Sequence, residues 1–434
     1  MKRWISYILL LGLFCSVFCF RTAEAAPAVL TLSADACILA DADSGQVLYE
    51  KNMNQRIYPA SLVKVLTCLL ALENCDPDET VIVPESALDI EPDSSAIYVE
   101  PGEVLTMRDC LYTLIMASAN DIANTIAEHV SGSVSAFVDL MNRRAAELGA
   151  QNTHFTNPHG LHRSDNYTTL SDLLLIATAA WKRPEFREIL LTAQYSIPPT
   201  NYCSETRYYN QTHEMRRYLG PYYYSPCLGG KTGYTPESGY SLLSYAQKEE
   251  DGIPLLTLVA GCSVYGQQYE DSETLFEYGF DSFKKASQPL KGTYLGQIPV
   301  YLDTAMEKKL GYVKVCASSD LVYDISISAS DTPSFDIEAD FPTGLVYPVS
   351  DGDAAGYLRY RLNGKLIASI PCEITETGNL TALAETGESQ PSAPASPTYL
   401  LSPTLTYCLA AAAFLLFAGF LAALRYLLLH RSRR

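Results

Sequence analysis

The sequence predicts an α+β domain of helices on an antiparallel sheet, then a small all-β module and one membrane-spanning helix. Three observations predict this order. Between about Cys37 and Phe283, apolar residues recur with both the period of a strand and the period of a helix. From about Leu290 only short alternating segments remain, punctuated by Gly and Asp. Near the C-terminus, Leu405 to Leu424 is an apolar run of twenty residues with no charge, long enough for a bilayer core. The 434 residues are 48% hydrophobic and 18% charged, which leaves room for two or three domains with a sizeable core. With Gly 25 and Pro 24 in no regular period, a disordered, fibrous or coiled-coil chain is excluded.

The elements follow in order along the chain. Met1-Lys2-Arg3, the apolar run from Trp4 to Phe20 and the small-x-small string Ala23-Glu24-Ala25 mark residues 1–25 as a secretory signal peptide. Ile38-Leu39-Ala40 and Gln46-Val47-Leu48-Tyr49, split by Asp43-Ser44-Gly45, predict a hairpin. A helix is expected from about Ser61 to Glu73. Thr106 with Asp109 reads as a capping box opening a second helix through Leu114, Ile115 and Met116. Phe137, Met141, Ala145 and Leu148 lie at helical spacing before Gly149, and Thr169 with Asp172 opens a further helix. Tyr240–Tyr245 and Leu255–Ala260 predict a second hairpin.

These segments place a catalytic domain at residues 26–285 and a β-rich domain at 290–376. A stalk follows at 377–404, with Pro391, Pro394, Pro397 and Pro403 among Ser, Thr, Ala and Gly. The run 405–424 is apolar all round and should span the membrane rather than lie on it. Arg425, Arg431, Arg433 and Arg434 make 425–434 a basic tail, which the positive-inside rule puts in the cytoplasm. The body would then be extracytoplasmic, held to the cell membrane by a single pass.

The formal net charge is −18, and because the two ends are basic the body between them is more acidic still. Such a surface repels phosphate backbones, so no nucleic-acid partner is expected. Of twelve cysteines, Cys15 and Cys19 fall in the signal and Cys408 in the apolar run, leaving nine in the body. They are odd in number and evenly scattered, with no C-x-x-C or Cys/His spacing. That reads as neither a disulfide framework nor a zinc site, and neither a metal nor a cofactor is expected. The eight tyrosines between Tyr195 and Tyr224 read as scattered surface aromatics rather than a groove lining.

Three strings could carry chemistry. Ser61-Leu62-Val63-Lys64 opens an apolar helix, so Lys64 lies one turn from Ser61 on the same face. A hydroxyl is a poor nucleophile at neutral pH and needs a base within hydrogen-bond reach. Lysine can be that base where burial or a second cation disfavours its ammonium, and Lys231 is the candidate second cation. The backbone N–H groups at the helix opening could receive a developing oxyanion. Ser118-Ala119-Asn120 falls between two helical stretches, where a turn would aim Ser118 and Asn120 into a cleft. Lys231-Thr232-Gly233 occurs once, just before the Tyr240–Tyr245 strand; Gly233 would leave an edge strand bare for a substrate backbone. The spacing S-x-x-K recurs at Ser282 and Lys285, in a polar segment where a solvated lysine is expected. Ser164-Asp165-Asn166 mimics the second string but reads as turn chemistry.

Together the strings resemble those of the penicillin-recognising serine enzymes. Four segments are similar to those of the D-alanyl-D-alanine carboxypeptidases among the low-molecular-mass penicillin-binding proteins. They are Tyr58–Thr67, Ser118-Ala119-Asn120-Asp121, Asn157-Pro158-His159-Gly160-Leu161-His162 and Gly230-Lys231-Thr232-Gly233-Tyr234-Thr235. The resemblance covers about Cys37 to Phe283 and continues more weakly to Glu376. It implies a β-lactamase/transpeptidase-like catalytic fold acting on peptidoglycan stem peptides that end in D-Ala-D-Ala, with β-lactams as acylating inhibitors. Ser61 would be acylated, Lys64 would take its proton, and Ser118 would relay a proton to the leaving D-Ala. Asn120 would bind peptide backbone, Lys231 and Thr232 the terminal carboxylate, and the N–H groups of Ser61 and Tyr234 the oxyanion. Tyr234 stands where many relatives carry His, but the role there belongs to the backbone. His129, His154, His159, His162 and His213 need no catalytic role, and His159 and His162 are expected to pack loops.

Two alternatives remain at the level of sequence. A class A β-lactamase shares the three strings but also needs a glutamate base, and no E-x-x-L-N string is present. A non-catalytic peptidoglycan or β-lactam sensor would keep the pocket and lose turnover. A generic serine esterase is disfavoured by the lack of a G-x-S-x-G elbow.

Overall fold

A computed structural model of the chain describes residues 30–249, 252–326, 334–362, 364–377 and 380. The expected signal peptide, membrane helix and basic tail lie outside the described residues, as does nearly all of the stalk. Among the described residues, no helix is long and apolar enough to cross a membrane. The chain divides into two units, the first ending at Lys284 and the second beginning at Lys285.

In the first unit the opening hairpin forms as β1 (Ala36–Asp41) and β2 (Val47–Lys51). The helix expected from Ser61 starts later. Pro59 is followed by Ala60 at φ +46°, a left-handed conformation that an α-helix cannot contain, so the chain enters through a 3-10 turn, Ala60–Val63. Only then does α1 run, Lys64–Asn74. The short strands β3 (Thr80–Ile82) and β4 (Val104–Thr106) pair before α2 (Met107–Met116), whose Thr106–Asp109 capping box forms as expected. Helices α3 (Asn120–Ser131), α4 (Val134–Glu147), α5 (Leu170–Trp181) and α6 (Pro184–Leu191) follow. Ser133 caps α4, Thr169 caps α5, and Pro184 opens α6. A ribbon of β5 (Gln194–Ile197) and β6 (Arg207–Asn210) leads to β7 (Cys227–Thr235), β8 (Gly239–Ala246) and β9 (Leu255–Cys262). Helix α7 (Gln267–Ser282) closes the unit.

The main sheet has the order β2-β1-β9-β8-β7, antiparallel throughout, so β7 is an edge strand. Helices cover both of its faces. Ile38 of β1 belongs to the core shared with α1 to α6, while Cys37 and Leu39 belong to the one under α7. Every residue of β1 is therefore buried, and strict polar alternation is absent from it. Helix α7 presses onto the sheet at Gly279, where a Cβ would come within 2.6 Å of Leu255 and 2.9 Å of Leu39.

In the second unit, β10 (Phe283–Gln288), which crosses the boundary, pairs with β13 (Leu321–Ser326). β11 (Tyr294–Tyr301), β12 (Lys309–Ala317), β14 (Asp336–Asp340), β15 (Leu345–Val346), β16 (Ala354–Leu362) and β17 (Lys365–Thr375) make a second sheet, in the order β14-β16-β17-β12-β11-β15. Alternation is clear here: Val313, Val315 and Ala317 are buried in β12 while Lys314 and Cys316 are not. The chain is thus an α+β domain followed by a β-rich domain.

Candidate active site

Three elements bring the three strings together. Ser61 sits on the 3-10 turn, Lys64 is the first residue of α1, and Ser118 and Asn120 flank the start of α3. Strand β7 carries Lys231 and Gly233 on its inward face and Thr232 and Tyr234 on the other. Ser118 joins α2 to α3 at φ +58°, a left-handed conformation that is rare for a residue with a side chain. It aims the hydroxyl back at the turn, where Ser118 Oγ donates to Ser61 Oγ at 3.1 Å.

Lys64 is fully buried and makes three hydrogen bonds. Its Nζ lies 3.0 Å from Ser61 Oγ, 2.6 Å from Asn120 Oδ1 and 2.6 Å from the backbone oxygen of His159. An ammonium has three protons, which matches three acceptors. A neutral amine has two, and the amide and peptide oxygens can only accept. The lone pair of the neutral form is therefore left facing Ser61, the one partner with a proton to give. Burial, and then the neighbouring Lys231, push the Lys64 pKa well below the ordinary lysine range, with buried Asp121 pulling weakly the other way. Burial also brings Lys231 down to about 7. Lys231 Nζ donates to the Thr232 carbonyl at 2.8 Å.

The loop Asn157–Leu161 completes the site, and its part in holding Lys64 was not expected from the sequence. Gly160, at φ +89°, packs where a Cβ would lie 1.8 Å from the Ala60 carbonyl oxygen and 3.0 Å from Ser61 N. Only glycine lets this loop lie against the nucleophile turn. Asn157 holds it shut by accepting from Gly160 N at 2.6 Å and donating to the Leu161 carbonyl at 3.0 Å, while Thr67 of α1 donates to the Pro158 carbonyl at 2.7 Å. The His159 ring accepts from Leu161 N, and burial keeps it neutral, at about 3. His159 thus packs a loop with its side chain and holds Lys64 with its backbone. Asp121 is a second addition: its buried carboxylate accepts from the N–H groups of Ile97, Val99 and Ile122, fixing the segment beside α3.

Gly233 and Asn120 each make contacts beyond those expected. Gly233 faces inward, its absent Cβ 3.3 Å from Ala60 Cβ and 3.4 Å from Leu62 Cγ. Its smallness admits the nucleophile turn against β7, which is an edge strand of the main sheet. Asn120 is buried, and its oxygen is already committed to Lys64. The eight tyrosines divide as well: Tyr202, Tyr208, Tyr218 and Tyr223 are exposed, whereas Tyr195 stacks on Tyr112 and Tyr224 is buried. Ser164-Asp165-Asn166 forms a turn, with Asn166 N donating to the Arg163 carbonyl.

A serine hydroxyl against a buried lysine, on helices packed over an antiparallel sheet, defines a serine-type enzyme of acyl transfer. The family described as peptidase S11, D-alanyl-D-alanine carboxypeptidase, matches residues 21–263. The D-alanyl-D-alanine carboxypeptidase DacF of Bacillus subtilis is 26% identical over 375 residues, 84% of this chain and 91% of the relative. The D-alanyl-D-alanine carboxypeptidase DacB2 of Mycobacterium tuberculosis is 35% identical over 253 residues, 58% of this chain and 83% of the relative. Crystallised penicillin binding protein 5 of Haemophilus influenzae superposes with a TM-score of 0.60 at 26% identity, covering 80% of this chain and 98% of that one. The chain belongs to the peptidase S11 family, and its activity is that of a serine-type D-alanyl-D-alanine carboxypeptidase.

Proposed function

We propose that the chain removes the terminal D-Ala from peptidoglycan stem pentapeptides through an acyl-enzyme on Ser61. The observation that carries this reading is the bond set of Lys64, which leaves a lone pair for Ser61 and for no other partner. Neutral Lys64 takes the Ser61 proton as Oγ adds to the carbonyl of the penultimate D-Ala. The N–H groups of Ser61 and Tyr234 receive the negative charge that develops on the carbonyl oxygen. Ser118, hydrogen-bonded to Ser61, passes its proton to the amine of the departing D-Ala and takes in exchange the one Lys64 removed from Ser61, so that Lys64 is a neutral amine again. Water then attacks the ester while Lys64 accepts its proton, and Lys64 returns that proton to Ser61 Oγ as the ester bond breaks and the shortened peptide leaves.

Lys231 and the Thr232 hydroxyl hold the terminal carboxylate. The anion itself favours the charged form of Lys231, so substrate keeps it an ammonium. The Asn120 amide nitrogen offers a donor to a substrate carbonyl while its oxygen stays on Lys64. A β-lactam presents a strained amide and a carboxylate to the same groups and stops at the acyl-enzyme. The basic and apolar ends of the sequence support a secreted body anchored in the cell membrane by residues 405–424.

The test is D-alanine release from a peptide ending in Lys-D-Ala-D-Ala. Parent protein and Ser282→Ala should release D-alanine at equal rates, and Ser61→Ala should release none. Release by Ser61→Ala would refute the assignment; penicillin labelling of Ser61 without release would point to a sensor.

A further inference from the structure

Cys75, Glu79 and His129 gather at the end of the helical layer opposite to the active site's end of α1 and α3. Cys75 is the residue that ends α1, Glu79 precedes β3, and His129 lies in the last turn of α3. Their sulfur, carboxylate and imidazole donor atoms all lie within 4.8 Å of one another, with Cys75 and Glu79 half-buried. His129 Nε2 is 2.5 Å from Glu79 Oε1.

We propose that these three side chains form a binding site for a divalent cation of the zinc class, which clips the C-terminal ends of α1 and α3 together. The donor set is the first reason. One thiolate, one imidazole and one carboxylate suit Zn²⁺, whereas Mg²⁺ and Ca²⁺ take oxygen alone. The field is the second. Two helices end here, each presenting the negative pole of its backbone dipoles, and the last turn of α1 holds no basic side chain. Geometry is the third. Tetrahedral ligands roughly 2.0–2.3 Å from a metal stand about 3.3–3.7 Å apart. Small side-chain rotations open the His129–Glu79 pair and bring in the Cys75 sulfur, leaving a fourth position for water.

The fold gives such a clip a consequence. Helix α1 begins at Lys64 and α3 begins at Asn120, and these two residues are hydrogen-bonded at 2.6 Å. A cation at the far ends fixes the same two helices a second time. No linear spacing announces the site, because 50 residues separate Glu79 from His129 and they meet only in the fold.

The test uses the full chain, purified in detergent, reduced, stripped of metal and titrated with Co²⁺. The site predicts a thiolate-to-cobalt charge-transfer band that saturates at one equivalent, bleaches when Zn²⁺ is added, and is lost in Cys75→Ala. His129→Ala and Glu79→Gln should each weaken Co²⁺ binding at least ~10-fold while the far-ultraviolet circular dichroism is kept. Zn²⁺ should raise the melting temperature of the parent and not of the variants. Absence of the band, its survival in Cys75→Ala, or unchanged affinity in both other variants would overturn the proposal and leave a plain ion pair. Should Cys75→Ala fail to fold, the His129 and Glu79 variants decide.

Discussion

Lys64 and Lys231 are two buried lysines whose tasks need opposite charge states. The first works as a neutral amine and the second as an ammonium against a carboxylate. Lys231 also lowers the pKa of Lys64, because a like charge nearby disfavours the second ammonium. Acylation should therefore rise with pH as Lys64 loses its proton and fall as Lys231 loses its own. Replacing Lys231 by Met removes the like charge, so the acid limb of the acylation profile should move to higher pH, whereas Lys231→Arg should leave it in place. Stopped-flow acylation by a chromogenic β-lactam measures both limbs; an acid limb that stays put or moves down in Lys231→Met contradicts this coupling.

Among the elements, the loop Asn157–Leu161 and the 3-10 turn at Ser61 act as one part. In Gly160→Ala the new Cβ meets the Ala60 carbonyl at a distance no packing tolerates, so the loop must withdraw and take the His159 carbonyl off Lys64. We expect about 10²-fold lower kcat/KM and about 1–3 kcal/mol less stability, read by D-alanine release and thermal melting. Both hairpins and the capped starts of α2 and α5 were legible in the sequence, because Thr106 and Thr169 act on neighbours three residues away. Ser61, Lys64, Ser118, Asn120, Lys231 and Thr232 were legible as short strings. The His159 carbonyl was not, since every residue has one and only the fold selects which it uses. Helix α7 escaped for another reason: its buried face mixes Gln268, Ser272 and Gly279 with Tyr269, Leu275 and Phe276, and the polar members blur the helical period. The left-handed Ala60 and Ser118 left no mark either, because neither is a residue that favours that conformation.

At the scale of the whole molecule, every group assigned to the reaction lies in the unit that ends at Lys284. The DacB2 relative is matched over 83% of its length by only 58% of this chain, which fits an activity housed in one unit. A chain ended after Ser282 should keep its kcat/KM on a soluble peptide; loss of that activity with the fold intact would mean that the β-rich domain takes part. The nine cysteines of the body are all unpaired, six of them buried, and burial raises the pKa of Cys68 and Cys110 above the ordinary thiol range. The six buried ones behave as small apolar side chains. The central claim is that a neutral Lys64 takes the proton of Ser61. Its most direct test is the rate and position of penicillin acylation in the parent and in Lys64→Ala, followed by mass spectrometry of the digested protein at neutral pH. The adduct should sit on the Ser61 peptide and form on the order of 10²–10⁴ times more slowly in Lys64→Ala; equal rates, or an adduct on the Ser282 peptide, would contradict a lysine base at Ser61.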